Sequence, residues 1–154
     1  MSYRGKNYQR GAKGEERIRK ILEDFAQVES SGGLYPDLLM RFENGLTYGV
    51  ECKSIKAVNA GNGGRKGNIK IHHTEISGMN ALVGREIIPC LICEIIPPRG
   101  RSTKSYFFIE WDRVREKYNQ NRPMTISLTF YWVLQNGLNL QAWLKRQTQS
   151  IEVL

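Results

Sequence analysis

The feature that most narrows the fold is Asn44-Gly45, a tight-hairpin dipeptide set between two strand-like runs, Asp37-Leu-Leu-Met-Arg-Phe and Leu46 to Ile55. The spacing predicts two antiparallel strands over residues 37 to 55, with Pro36 fixing an extended entry. In the second strand, Gly49-Val-Glu-Cys-Lys-Ser-Ile, alternate side chains share a face, so Glu51 and Lys53 point one way and Val50 and Cys52 the other. An acid and an amine in mid-strand need a wet or functional surface, because burial without partners is costly. Read alone, the pair also fits an exposed edge strand carrying a salt bridge. Asp37 shifts the balance. It opens the partner strand, so the hairpin lets two carboxylates and an amine converge. Hard divalent cations such as Mg²⁺ take a few carboxylate oxygens and keep several waters, a set that Asp37, Glu51 and a backbone carbonyl can supply. Lys53 would then neutralise or position the attacking water and phosphate.

Around this hairpin the chain reads as a single α/β domain over residues 1–154, long enough to bury its own core. Ile18, Ile21, Leu22 and Phe25 recur at helical spacing and predict an amphipathic helix from Glu15 to about Gln27. Glu15 lies on its apolar stripe while Glu16 falls on the solvated side. A third carboxylate thus faces inward, unless it merely complements the helix N-terminus. Residues 1–14 carry Arg4, Lys6, Arg10 and Lys13 with no acid and read as a mobile basic arm or a frayed terminus. Residues 56–70, rich in Gly and Asn with four basic residues and no acid, read as a flexible basic loop. Further on, the patterning predicts a helix over Thr74 to about Val83 capped by Thr74, and strands over Pro89–Ile96 and Ser105–Trp111. A short helix over Asp112–Tyr118 follows. In the 123–154 extension, Ile126, Leu128, Phe130 and Trp132 alternate as one strand face, and Leu138–Leu144 closes as a helix or a strand.

Lys plus Arg outnumber Asp plus Glu by 23 to 15, giving a net charge of +8, which favours a polyanionic partner such as nucleic acid. Arg4, Lys6, Arg10, Lys13, Arg65, Lys66 and Lys70 are reasonable backbone-phosphate ligands, although each also suits a solvated surface. Three cysteines, Cys52, Cys90 and Cys93, are too few for a disulfide framework and suit a reducing cytoplasm. Cys90 and Cys93 fall on opposite faces of one strand, which argues against zinc. The most apolar run, Ile87 to Ile96, is short and holds Pro89 and Glu94, so neither secretion nor membrane spanning is expected.

The run from Asp37 through Glu51-Cys52-Lys53, with Pro36 in front, resembles the PD-(D/E)XK nuclease signature. From Gly11 to Trp111 the chain is similar to archaeal-type Holliday junction resolvases. The resemblance has separate parts: RGAKGEER with its helical glutamate at Glu15, the turn Ser30-Ser-Gly-Gly before Pro36-Asp37-Leu38, Glu51-Cys52-Lys53-Ser54, and the later runs Ile87-Ile-Pro-Cys-Leu-Ile and Tyr106-Phe-Phe-Ile. It implies a restriction-endonuclease-like central mixed β-sheet flanked by helices. It further implies a homodimeric, Mg²⁺-dependent endonuclease (Mn²⁺ substituting) that makes paired nicks in branched, four-way DNA during recombination and repair. Asp37, Glu51 and Glu15 would bind metal, Lys53 would orient the water, and Ser30, or alternatively Ser31, would touch the scissile phosphate. The family's basic helix contact falls to Arg17, one position later than usual. Two competing readings are a PD-(D/E)XK restriction or repair nuclease and a non-catalytic DNA-binding module. The acids argue against the latter, since carboxylates repel DNA.

Overall fold

The structure is a computed structural model that describes residues 3–33, 35–98 and 103–152, with side chains from Ala12 to Gln149. Its centre is the expected hairpin. Strand β2 (Leu38–Arg41) pairs antiparallel with β3 (Thr47–Lys56), Leu38 opposite Val50 and Arg41 opposite Thr47. The turn is built as the dipeptide requires: Gly45 takes φ +89°, where a side chain would be strained, and Asn44 Oδ1 accepts the Leu46 N–H at 2.9 Å. Strand β1 (Gln27–Ser30) adds an edge to β2. Strand β7 (Ile88–Ile96) runs parallel to β3, and β8 (Ser105–Glu110) and β10 (Leu138–Asn139) complete a six-stranded sheet in the order β1-β2-β3-β7-β8-β10. One parallel pair among antiparallel ones makes the mixed sheet that the sequence implied.

Alternation along the strands divides the core in two. On one face Leu38, Met40, Val50, Cys90 and Ile92 pack beneath α1 (Tyr3–Glu23) and α5 (Leu140–Glu152). Fully buried Ile18 and Leu22 of α1 contribute about 1.5–3 kcal/mol each. On the other face Ile55, Leu91, Cys93 and Ile109 meet α2 (His73–Asn80) with its trailing 3-10 turn (Ala81–Arg85), and also α3 (Trp111–Asn121) and α4 (Phe130–Asn136). Cys90 and Cys93 do face opposite ways, each buried, with burial pushing both thiols upward.

Four expectations are corrected. Helix α1 begins at Tyr3, so residues 3–14 of the expected arm are helical in backbone; the side chains of Arg4, Lys6 and Arg10 lie outside the described residues. The 56–70 loop is instead a hairpin of β4 (Val58–Gly61) and β5 (Gly64–Lys66), followed by β6 (Asn68–His72). Glycine-rich composition hid this pairing, since Gly61 and Gly63 supply the positive φ of the turn (+85° and +76°). Helix α2 is capped by His72, not Thr74: the His72 side chain accepts the Thr74 N–H, and Glu75 reaches back to the His72 N–H at 3.2 Å. The 123–154 extension is part of the fold. Strand β9 (Thr125–Thr129) pairs with β6, and Thr129 caps α4 before Phe130 and Trp132 can continue the strand. Helix α5 presses Trp143 flat on Phe108, 3.8 Å between ring centres.

Helix α1 is keyed to the sheet by one buried acid. Glu94, fully buried on β7, receives Arg17 Nε at 2.7 Å and Nη2 at 2.8 Å, Ser54 Oγ at 2.9 Å and Tyr106 OH at 2.8 Å. Burial alone would raise its pKa, but these donors hold it below the usual carboxylate range. Gly14 permits the approach, since a Cβ there would lie 2.7 Å from Ser54 Oγ. Arg17, expected on DNA, is therefore committed to a bidentate internal pair.

Candidate active site

Cross-strand register places the first two carboxylates. One step beyond the Leu38–Val50 pair, Asp37 stands against Glu51, and its N–H donates to the Val50 carbonyl at 3.0 Å. Its Oδ2 accepts the Cys52 N–H at 2.8 Å, which lays the carboxylate along β3. Glu51 is 4% exposed and its side chain lies within hydrogen-bonding reach of Asp37. Like charges facing each other across a ladder are destabilising. Burial first, then Asp37, pushes Glu51 up to about 10. Glu51 Oε2 is buried with no hydrogen-bond partner.

The third acid arrives from α1. Glu15 is half-buried and within hydrogen-bonding reach of Asp37; burial, and then the Asp37 charge, raise its pKa. Glu16 is exposed, as the helical stripe required. Lys53 shares its face with Glu51, and its Nζ lies 2.8 Å from Glu75 Oε2 at the start of α2. Burial would lower the Lys53 pKa, but Glu75, Glu51 and Asp37 together hold it above the ordinary value. Lys53 is thus a fixed ammonium rather than a proton acceptor at neutral pH.

Two serines were candidates for the loop position, and the structure separates them. Ser30, at the end of β1, is exposed and accepts from Arg19 Nη1 at 3.1 Å. Ser31 is bonded to the turn that carries Asp37: its hydroxyl donates to the Pro36 carbonyl and its N–H to the Asp37 carbonyl. Of the residues expected to meet phosphate, Lys13, Lys66 and Lys70 are exposed, and Arg65 donates to Asn59 Oδ1 at 2.6 Å across the β4–β5 hairpin.

The donor set was tested for a metal ion. Among the described residues no group of three or more His, Cys, Asp or Glu is placed to hold a metal ion together. What is present is an open set, two facing carboxylates with Glu15 beside them and one buried oxygen lacking any partner. A hard cation that retains most of its waters fits such a set better than a fully ligated one. A groove of about 640 Å³ bounded by Leu46, Val83, Ile88 and Trp143 contains none of these residues.

No family model matches the sequence, and no curated protein matches it. Among solved structures the chain is similar to Hjc, a Holliday junction resolvase from the archaeal hyperthermophile Archaeoglobus fulgidus. The TM-score is 0.60 at 12% identity, covering 88% of this chain and 96% of that one. The chain has the fold of Hjc. The Hjc-like region extends well beyond the Gly11–Trp111 stretch carrying the sequence resemblance, consistent with a C-terminal segment built into the sheet.

Glu75 is the site residue that sequence reasoning missed. Its signal was local, an acid three residues after a helix cap, which sets its oxygens at the helix start. Its meeting with Lys53 depends on how α2 packs over β3. Among the described residues no helix is long and apolar enough to cross a membrane.

Proposed function

We propose that the protein is a metal-dependent endonuclease that resolves four-way DNA junctions as a homodimer, each copy hydrolysing one phosphodiester. The observation that carries this reading is the convergence of Asp37, Glu51 and Glu15 beside a fixed Lys53 on an Hjc fold, with Glu51 Oε2 buried and unpartnered. Asp37 and Glu51 would hold Mg²⁺ or Mn²⁺, with Glu15 completing the set. The bound cation would polarise the scissile phosphate and lower the pKa of a coordinated water. Lys53, kept protonated and aimed by Glu75, donates hydrogen bonds to the water or the phosphate and offsets charge on the oxygens. Ser31, beside the Asp37 turn, would reach a phosphate oxygen by turning its hydroxyl proton away from the Pro36 carbonyl. Lys13, Lys66 and Lys70 supply sequence-independent phosphate contacts. A two-fold dimer matches a substrate that is itself roughly two-fold symmetric.

The test is cleavage of a labelled immobile four-way junction beside linear duplex, in Mg²⁺ or EDTA, by wild type and Asp37→Asn. Asparagine can still accept the Cys52 N–H, so the fold is retained. Paired symmetric nicks on the junction alone, lost in EDTA and reduced at least about a hundredfold by the substitution, are expected. Equal cutting of linear duplex points to a nuclease of other specificity, binding without cutting to a DNA-binding module. Undiminished cleavage by Asp37→Asn sinks the metal site.

A further inference from the structure

Two long stretches of the chain lack any acid, residues 52–74 and residues 117–151. They are far apart in sequence, yet β6 and β9 pair along their lengths, Asn68 opposite Thr129 through His72 opposite Thr125. The β4–β5 hairpin projects from the same region, and its Arg65 N–H donates to the hydroxyl of Tyr131 at 3.1 Å. Arg65 and Lys66 border the groove beside Tyr131, and exposed Lys70 lies on the same side of β6 as Asn68, so β4, β5, β6, β9 and α4 bring three cations and no carboxylate to this face. The β4–β5 hairpin follows in the chain directly after β3, the strand that carries Glu51 and Lys53.

Tyr131 is what a purely electrostatic face would not require. Its ring is 56% exposed at the start of α4, although an aromatic of this size normally buries most of its surface. It is also held in place: the hydroxyl is tied to the hairpin, and the ring stands edge-on to Phe130, 5.1 Å between centroids at 82°. Beside it a groove of about 570 Å³ runs between Lys66, Asn68 and Phe130. An anchored, exposed aromatic flanked by cations is the arrangement that binds an unstacked base while the cations follow its backbone.

Resting on the nuclease reading above, we propose that this face grips branched DNA, with Arg65, Lys66 and Lys70 on phosphates and the Tyr131 ring stacked on a base left exposed at the branch point. Duplex arms present phosphates to the cations, but only the branch offers a base face. Tyr131 therefore confers preference for branched over linear DNA.

The experiment is equilibrium binding of the full chain, in EDTA so that nothing is cut, to a four-way junction with 2-aminopurine at the branch and to linear duplex of equal length. Tyr131→Ala is expected to weaken junction binding about thirtyfold, the middle of the range for one base–aromatic stack, and duplex binding less than twofold. Tyr131→Phe, which keeps the ring, restores most of the loss. The aminopurine quench on binding disappears with alanine and returns with phenylalanine. The Arg65→Ala, Lys66→Ala double variant weakens both substrates alike and makes the dependence of log Kd on log salt shallower by about two. Junction affinity and quench unchanged in Tyr131→Ala, or equal losses on both substrates, overturn the stacking role. An unaltered salt slope in the double variant overturns the face as a DNA surface. Because binding is read without cleavage, a protein that never cuts can still satisfy these outcomes. One that resolves junctions with Tyr131→Ala behaving as wild type refutes only this inference.

Discussion

Glu51 shows how a single carboxylate can be both costly to the fold and useful to the site. Its folded pKa of about 10 lies far above the unfolded value near 4.5, so between these pH values the folded chain holds a proton that the unfolded chain has released. Stability contributed by this group therefore falls as pH rises through that window. Glu51→Gln removes the penalty, since a neutral amide neither repels Asp37 nor needs a proton. Calorimetry in EDTA should find the variant more stable than wild type at pH 8 by about 1–3 kcal/mol, with the difference closing near pH 5. Adding Mg²⁺ should recover the wild type alone, through binding to the folded state. A variant that melts below wild type at pH 8 in EDTA would mean Glu51 has a partner that this arrangement lacks. At this scale the sequence was informative wherever a rigid period applied. Period-two alternation and the hairpin put Glu51, Lys53 and Asp37 together, and the helical stripe turned Glu15 inward. Arg17 and Glu75 were opaque, because their partners Glu94 and Lys53 lie on strands that only packing brings beneath their helices.

Among the elements, α5 is the one whose importance was least visible. Residues 138–144 could be read as a helix or a strand, and both are present, since β10 borders β8 and α5 follows without a break. What fixes α5 is contact across the sheet: Trp143 stacks on Phe108 and meets Tyr48 and Phe42 edge-on, at centroid separations of 5.3 and 5.9 Å. Such contacts join residues almost one hundred positions apart, so no local pattern announces them. Trp143→Ala leaves a void in the middle of this cluster and should cost about 3–5 kcal/mol, read as a lower urea midpoint at unchanged slope. A cost below about 1 kcal/mol would show that α5 is an appendage rather than part of the core. The β4–β5 hairpin taught the converse lesson. Its residues bury little, and its Gly and Asn content resembles disorder, yet the same residues supply the positive φ a tight turn demands.

At the scale of the whole molecule, the described residues of one chain hold one set of converging carboxylates, which on the proposed nuclease reading would cut one strand at a time. Resolution of a junction needs two opposed cuts, which the proposed second copy, related by two-fold symmetry, would supply. Mixing distinguishes this arrangement from independent copies. If wild-type and Asp37→Asn chains are unfolded together in equal amounts and refolded, about half of the dimers combine one of each. On a supercoiled plasmid bearing a cruciform, the wild-type dimer makes both cuts within one encounter and yields linear DNA. The mixed dimer makes one cut, relaxes the supercoil that held the cruciform open, and leaves a nicked circle. Nicked circles should therefore accumulate in the mixed sample and stay scarce with wild type alone. If wild type also passes through a nicked circle, and mixing only dilutes the rate, the copies act independently and the dimer is not the cutting unit.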